Sequence, residues 1–125
     1  MSLPPSPQLV VLSLTRTPDF QRIRQHGRSC AAPALVLVSL PAPLFAVRVG
    51  FVCTRTVGGA VQRNRAKRLL RAAMQQLANS FVPGWEVVLI ARQPIVQLKL
   101  VDVQQQLQQL LQRARLLHTM PGDRR

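Results

Sequence analysis

A chain of 125 residues, 47% of them hydrophobic, is long enough to bury the core of one domain and too apolar for a disordered tail. Seventeen Lys and Arg against four Asp and Glu leave a formal charge of +13, a balance that attracts polyanions, nucleic acid foremost and an anionic membrane surface next. No apolar run approaches the ~20 residues of a membrane span, and the four acids, Asp19, Glu86, Asp102 and Asp123, are too dispersed for a carboxylate-based hydrolase.

The opening "MSLPPSPQLVVLSL" has three prolines, no helical period, no basic start and no small-residue cleavage site. It reads as a loose extension over residues 1–14 rather than a secretory signal. "TPDFQRIRQHG" then has the grammar of a short helix. Thr17 caps, Pro18 suits the first turn, Asp19 favours the positive end and Gly27 terminates. Two strand-like runs follow at 34–40 and 45–54, separated by "PAP". In the second run Val47, Val49, Phe51 and Cys53 share one face and are expected in the core. Arg48, Gly50, Val52 and Thr54 share the other and form a polar groove floor.

"TVGGA" breaks the chain before a helix expected over 60–79. "VPGW" ends that helix, and "EVVLIA" (86–91) is a short buried strand. A loop, "RQPIVQ", leads to a last helix over 100–117, whose apolar stripe is Leu100, Val103, Leu107, Leu110, Leu111 and Ala114. The glutamines between them read as a neutral solvent face, and residues 118–125 as a frayed tail. Cys30 and Cys53 have neither a zinc spacing nor a disulfide framework and read as buried, reduced thiols of an intracellular protein. The order of elements gives an α+β sandwich on one sheet, with a strand–helix–strand unit around residues 60–79. His26 and His118 have no evident partner and read as surface or capping residues.

The helix "AVQRNRAKRLLR" concentrates five cations between Arg63 and Arg71. On an ideal helix Ala66, Leu69, Leu70, Ala73 and Leu77 fall within about 100° of arc, the buried stripe. Arg63, Asn64, Lys67, Arg68 and Arg71 occupy an arc of about 140° roughly opposite, with Arg65 off to its side. Solvated helix faces mix signs, yet this helix contains no acid. A membrane-surface helix would need its apolar side for lipid rather than core, and no second helix completes a helix-turn-helix for DNA. Asn64, between two arginines, can read a sugar hydroxyl or a base edge, which favours RNA.

"RVGFVCTRTVGGAVQRNRAKRLLRAAM" (48–74) resembles the signature of the bacterial ribonuclease P protein subunit, whose hallmark is an A-V-x-R-N-R-x-K-R-L-x-R helix after a strand and a glycine turn. "DFQRIRQHGRS" and "VVLIARQP" match the family's first helix and late strand in order and spacing, so the resemblance covers residues 14–117. It implies an RNA-binding subunit of a tRNA-processing ribonucleoprotein in the cytoplasm, with a ribosomal-type structural RNA binder as the alternative. The partners it implies are the catalytic RNA and the 5′ leader of precursor tRNA, with no role for DNA or membrane. The RNA would carry the endonucleolytic chemistry, assisted by Mg²⁺, and no residue of this chain would be catalytic.

By the same resemblance Arg63, Asn64, Arg65, Lys67, Arg68 and Arg71 would dock on the catalytic RNA, and a cleft between the first helix and the sheet would hold the leader. Phe20, Arg24, Arg48, Val52 and Arg55 are the leader-binding candidates. The implied fold is an α-β-β-β-α-β-α sandwich with one central sheet and a left-handed βαβ crossover, like the second domain of a small-subunit ribosomal protein. Its limits would be residues 15–117. The chain departs from the family at Arg24 and Val38, where aromatics are common, and at Arg55-Thr56, where a Lys pair is usual. Leader stacking is therefore thinner, with Phe20 its main candidate and the core its other destination. Arg24 and Arg55 can substitute charge for stacking.

Overall fold

The computed structural model describes residues 8–11, 17–42, 46–77, 80–82 and 84–117. In chain order the elements are β1 (Gln8–Val11), α1 (Thr17–His26), β2 (Arg28–Ala31), β3 (Leu35–Pro41), β4 (Ala46–Val52), α2 (Ala60–Gln76), β5 (Trp85–Ala91), a 3₁₀ segment (Gln93–Gln97) and α3 (Leu100–Arg113). The strands form one mixed sheet in the order β1-β4-β5-β3-β2. β1–β4 and β4–β5 are parallel, while β5–β3 and β3–β2 are antiparallel. Because β4 and β5 are parallel neighbours, the intervening α2 makes the strand–helix–strand unit expected from the sequence.

The sheet is buried on both sides, and the strand sequences show why. In β5 Val87, Leu89 and Ala91 join the larger core, while Val88 and Ile90 join a smaller one on the opposite face. β3 divides likewise, Leu35 and Leu37 one way, Val36, Val38 and Leu40 the other. A strand covered on both faces must be apolar throughout, which is how "EVVLIA" reads. The larger core takes Ala66, Leu70, Ala73 and Met74 of α2 and Val103, Leu107, Leu110 and Leu111 of α3. The smaller is built on Ile23 of α1. Val47 and Val49 of β4 are buried with the larger core, and Phe51 and Cys53 pack half-buried against it, as their alternation predicts.

The structure corrects several expectations. Residues 8–11, expected in a loose extension, pair with β4 from Gln8↔Ala46 to Val11↔Val49; four residues are too few to show a period beside Pro4, Pro5 and Pro7. Residues 1–7 and the tail 118–125 lie outside the described residues. β2, a four-residue edge strand, has no apolar signature of its own because most of it is exposed. α2 ends at Gln76 rather than Asn79, and Leu69 and Leu77 are half-buried where Met74 is buried. α3 ends at Arg113, before Leu117. There Arg115 takes φ 62° and its N–H bonds Gln112 O, while the Leu116 N–H bonds Leu111 O. That is a Schellman stop, sealed by two fully buried leucines, Leu111 and Leu116. Nor are all the glutamines solvent-facing bystanders, since Gln106 Oε1 accepts the Ala34 N–H at 2.9 Å and ties α3 to the β2–β3 turn.

Gly27 sets how closely α1 approaches the sheet. A Cβ there would lie 2.5 Å from Ile23 O and 2.7 Å from Ser39 O, both backbone atoms that cannot step aside. Gly27→Ala is therefore expected to cost about 1–3 kcal/mol of stability in denaturant unfolding; an unchanged midpoint would show that α1 can lift without loss.

Candidate nucleic-acid interface

The start of α2 is fixed by a compact turn. Val57 N–H bonds Thr54 O at 3.0 Å and Gly58 N–H bonds Arg55 O at 3.1 Å. Gly58 has φ 143°, a conformation disfavoured for residues with a Cβ, and a side chain there would also strike Gln62. Gly59 caps α2 without a side chain, and no acid sits in the first turn. Nothing on α2 offsets its cations. Among the described residues no ion pair involves α2, because Glu86 is paired with Arg22 and Arg48, and Asp102 Oδ2 accepts the Lys99 N–H at the start of α3.

The basic residues of α2 have different occupations. Asn64, Arg68 and Arg71 are exposed, and Arg63 and Lys67 are half-buried at the flank of the same face. Arg63 Nη1 donates to Gly58 O at 3.0 Å, bracing the turn. Arg71 lies with Cζ 5.5 Å from the centre of the Phe51 ring, a cation–π contact that orients it from beneath. Arg65, half-buried, donates to Val96 O at 3.2 Å and Leu98 O at 2.8 Å. It closes the carbonyl end of the 3₁₀ segment and holds the start of α3 against α2. Its place off the side of the cationic arc was the sequence signal of this separate role. Beside the basic face, burial pushes the Cys53 thiol up, opposed by the charges of Lys67 and Arg63. The thiol is thus protonated at neutral pH.

The other sheet face carries a groove. Phe20 is half-buried and packs on Ile23, Val38 and Val88 together with Val36, Leu40, Val52 and Ile90. It therefore serves the smaller core while staying partly exposed. Arg24 and Val52 line an open cleft of ≈ 430 Å³ with Thr54, Thr56, Ile90 and Arg92. Thr54 and Thr56 share a hydroxyl hydrogen bond of 2.7 Å. Arg92 Nη1 donates to Ala32 O at 3.0 Å, which holds it at the rim. Arg48 shares the face of Val52 but stands four residues, about 13 Å, along β4; it is paired with Glu86. Arg55 is exposed on the turn into α2. The structure thus unites Arg24 and Val52 in one cleft, with Phe20 in the small core that Val52 also joins and Arg48 at a distance along the same face. Sequence reading missed Thr56, on the turn after β4, and Arg92 and Ile90, which reach the cleft through the pairing of β4 with β5. His26 is exposed, and His118 lies outside the described residues.

The contrast between two neighbouring arginines is measurable. Arg65→Ala deletes two charge-assisted hydrogen bonds to carbonyls and should cost about 1–3 kcal/mol. Arg68→Ala removes an exposed side chain and should stay within about 0.5 kcal/mol of the parent. Thermal melting of both variants checks this, and equal Tm values would refute the distinction.

Comparison with known proteins identifies the family. The family described as Ribonuclease P matches residues 11–115. The ribonuclease P protein component of Roseiflexus sp. (strain RS-1) is 42% identical over 104 residues, covering 82% of this chain and 85% of the relative. That of Dehalococcoides mccartyi (strain CBDB1) is 34% identical over 104 residues, 83% of this chain and 85% of the relative. Among solved structures, the RNase P protein from Thermotoga maritima superposes with a TM-score of 0.73 at 25% identity, covering 82% of this chain and 96% of that one. The Staphylococcus aureus RNase P protein gives 0.72 at 25% identity, covering 85% and 97%. With its fold, its basic helix and its sequence in agreement, the chain belongs to the family of bacterial ribonuclease P protein components, the protein partners of the RNA subunit in a tRNA-processing ribonucleoprotein.

Proposed function

We propose that this subunit works through two surfaces. The cationic face of α2 docks on the catalytic RNA, and the groove between α1 and the sheet holds the single-stranded 5′ leader of precursor tRNA. The observation that carries this reading is the unpaired charge of α2: five cations with no ion pair among the described residues. Such a face is self-repelling until a polyanion neutralises it. The groove supports the second half, because it combines an apolar floor, Val52 and Ile90, with Arg24 and Arg92 at its rim and hydroxyls between. Bases can lie on the floor while phosphates meet the guanidiniums.

In this reading the RNA performs the cleavage, with hydrated Mg²⁺ as the catalytic metal, and the protein supplies charge and position. No three His, Cys, Asp or Glu side chains come together among the described residues. The cytoplasm, where precursor tRNA is made, is the proposed location, and no helix among the described residues is long and apolar enough to cross a membrane.

The two surfaces should separate by mutation. Arg68→Ala should weaken binding of the catalytic RNA and reduce the slope of log K against log salt by about one unit. Arg24→Ala should leave that binding intact and weaken the reconstituted holoenzyme's affinity for precursor tRNA, mainly at low salt, with mature tRNA unaffected. Equal effects of both variants on both RNAs would contradict the assignment.

A further inference from the structure

Glu86 is the odd residue of the groove face. It lies on β5 with Val88 and Ile90, facing α1, in a chain with only four acids. Its side chain is 6% exposed, and each carboxylate oxygen is taken by a different arginine. Oε1 receives Arg22 Nη1 of α1 at 2.8 Å, and Oε2 receives Arg48 Nη1 of β4 at 3.1 Å. Arg48 stands directly opposite Glu86 in the β4–β5 register. The arginine side chains are 44% and 37% exposed, so the acid is sealed beneath while the two cations reach solvent.

A carboxylate on a surface meant for phosphate is unfavourable unless it builds something. Here it holds one guanidinium on each of its two oxygens. An arginine has five N–H donors in a planar fork, and among the described residues Glu86 is the only hydrogen-bond partner of the Arg48 side chain. A guanidinium held by a buried carboxylate is pre-ordered, so less freedom is lost when it meets a phosphate. This trio stands about 13 Å along β4 from the Val52 end of the cleft, on the same face.

We propose that Glu86 is a positioning residue that builds a phosphate seat from Arg48 and Arg22, a second anchor for the leader strand beyond the Arg24–Arg92 cleft. The proposal rests on the leader-groove reading above. It makes an unusual demand of sign: removing a negative charge must weaken the binding of a polyanion. Were Glu86 only a clamp between α1 and the sheet, or only a neutraliser, its loss would leave the leader contribution unchanged or strengthen it.

The test uses holoenzyme reconstituted from full-length protein and its cognate catalytic RNA, and measures affinity for precursor and for mature tRNA. Glu86→Gln should reduce the preference for precursor over mature tRNA by about tenfold, as loss of an ordered charged hydrogen bond implies. Arg48→Ala should give a similar loss, and the double variant should be no worse than Arg48→Ala alone, because the acid acts through the arginine. If Glu86→Gln does not fold at the assay temperature, Glu86→Asp decides. It keeps the charge but withdraws the carboxylate by one methylene, so the preference should again fall. Preserved or increased preference in the folded variant, or additive losses in the double variant, overturns the proposal. A parent holoenzyme that shows no preference for precursor would instead overturn the leader-groove reading beneath it.

Discussion

Strand β5 sends Val87, Leu89 and Ala91 to one core and Val88 and Ile90 to another, so the centre of the sheet carries a core on each face. Both cores must be covered by helices, and the division of labour in the molecule follows from that requirement. α2 and α3 cover the larger core, and α2 turns its cations outward because its other stripe, Ala66, Leu70, Ala73 and Met74, is committed inward. α1 covers only the smaller core through Ile23, and the sheet surface beside it is left as a groove. Two arginine-bearing surfaces therefore lie on opposite sides of one sheet. In the proposed function that separation keeps the catalytic RNA and the leader from competing for the same charges.

The cations themselves are less uniform than a count suggests. Arg63 braces the Gly58 turn, Arg65 closes the 3₁₀ segment and Arg71 rests on Phe51, which leaves Arg68 exposed without an internal contact among the described residues. The same economy holds on the groove face, where Arg48 is tied to Glu86 and Arg92 to a carbonyl of the β2–β3 turn. Arginine suits both tasks because its planar fork can satisfy a protein acceptor and still present donors to a phosphate. Pre-ordering the side chains in this way lowers the entropy lost on binding.

Much of this could be read from the chain because it is carried by period. The alternation in β4, the continuous apolar run of β5 and the helical stripes of α2 and α3 each record which faces are buried. What escaped was set by partners distant in sequence. The pairing of residues 8–11 with β4 has no local signature, and neither does the edge strand β2. Arg92 enters the cleft, Gln106 reaches the Ala34 N–H, and Glu86 meets two arginines only after the sheet has assembled. The case of Arg65 is instructive in the other direction. Its angular position on the helix, off the side of the cationic arc, already marked it for the internal contact it makes.

The central claim is that the two surfaces take two different RNAs, and photocrosslinking tests it most directly. Single reactive cysteines would be introduced by Asn64→Cys on α2 and Arg24→Cys in the groove, with Cys30 and Cys53 replaced by serine. Each protein would be assembled with the catalytic RNA, with and without precursor tRNA. The account predicts that position 64 crosslinks to the catalytic RNA under both conditions, and that position 24 crosslinks to the leader only when precursor is present. Crosslinking of both positions to the same RNA would contradict it.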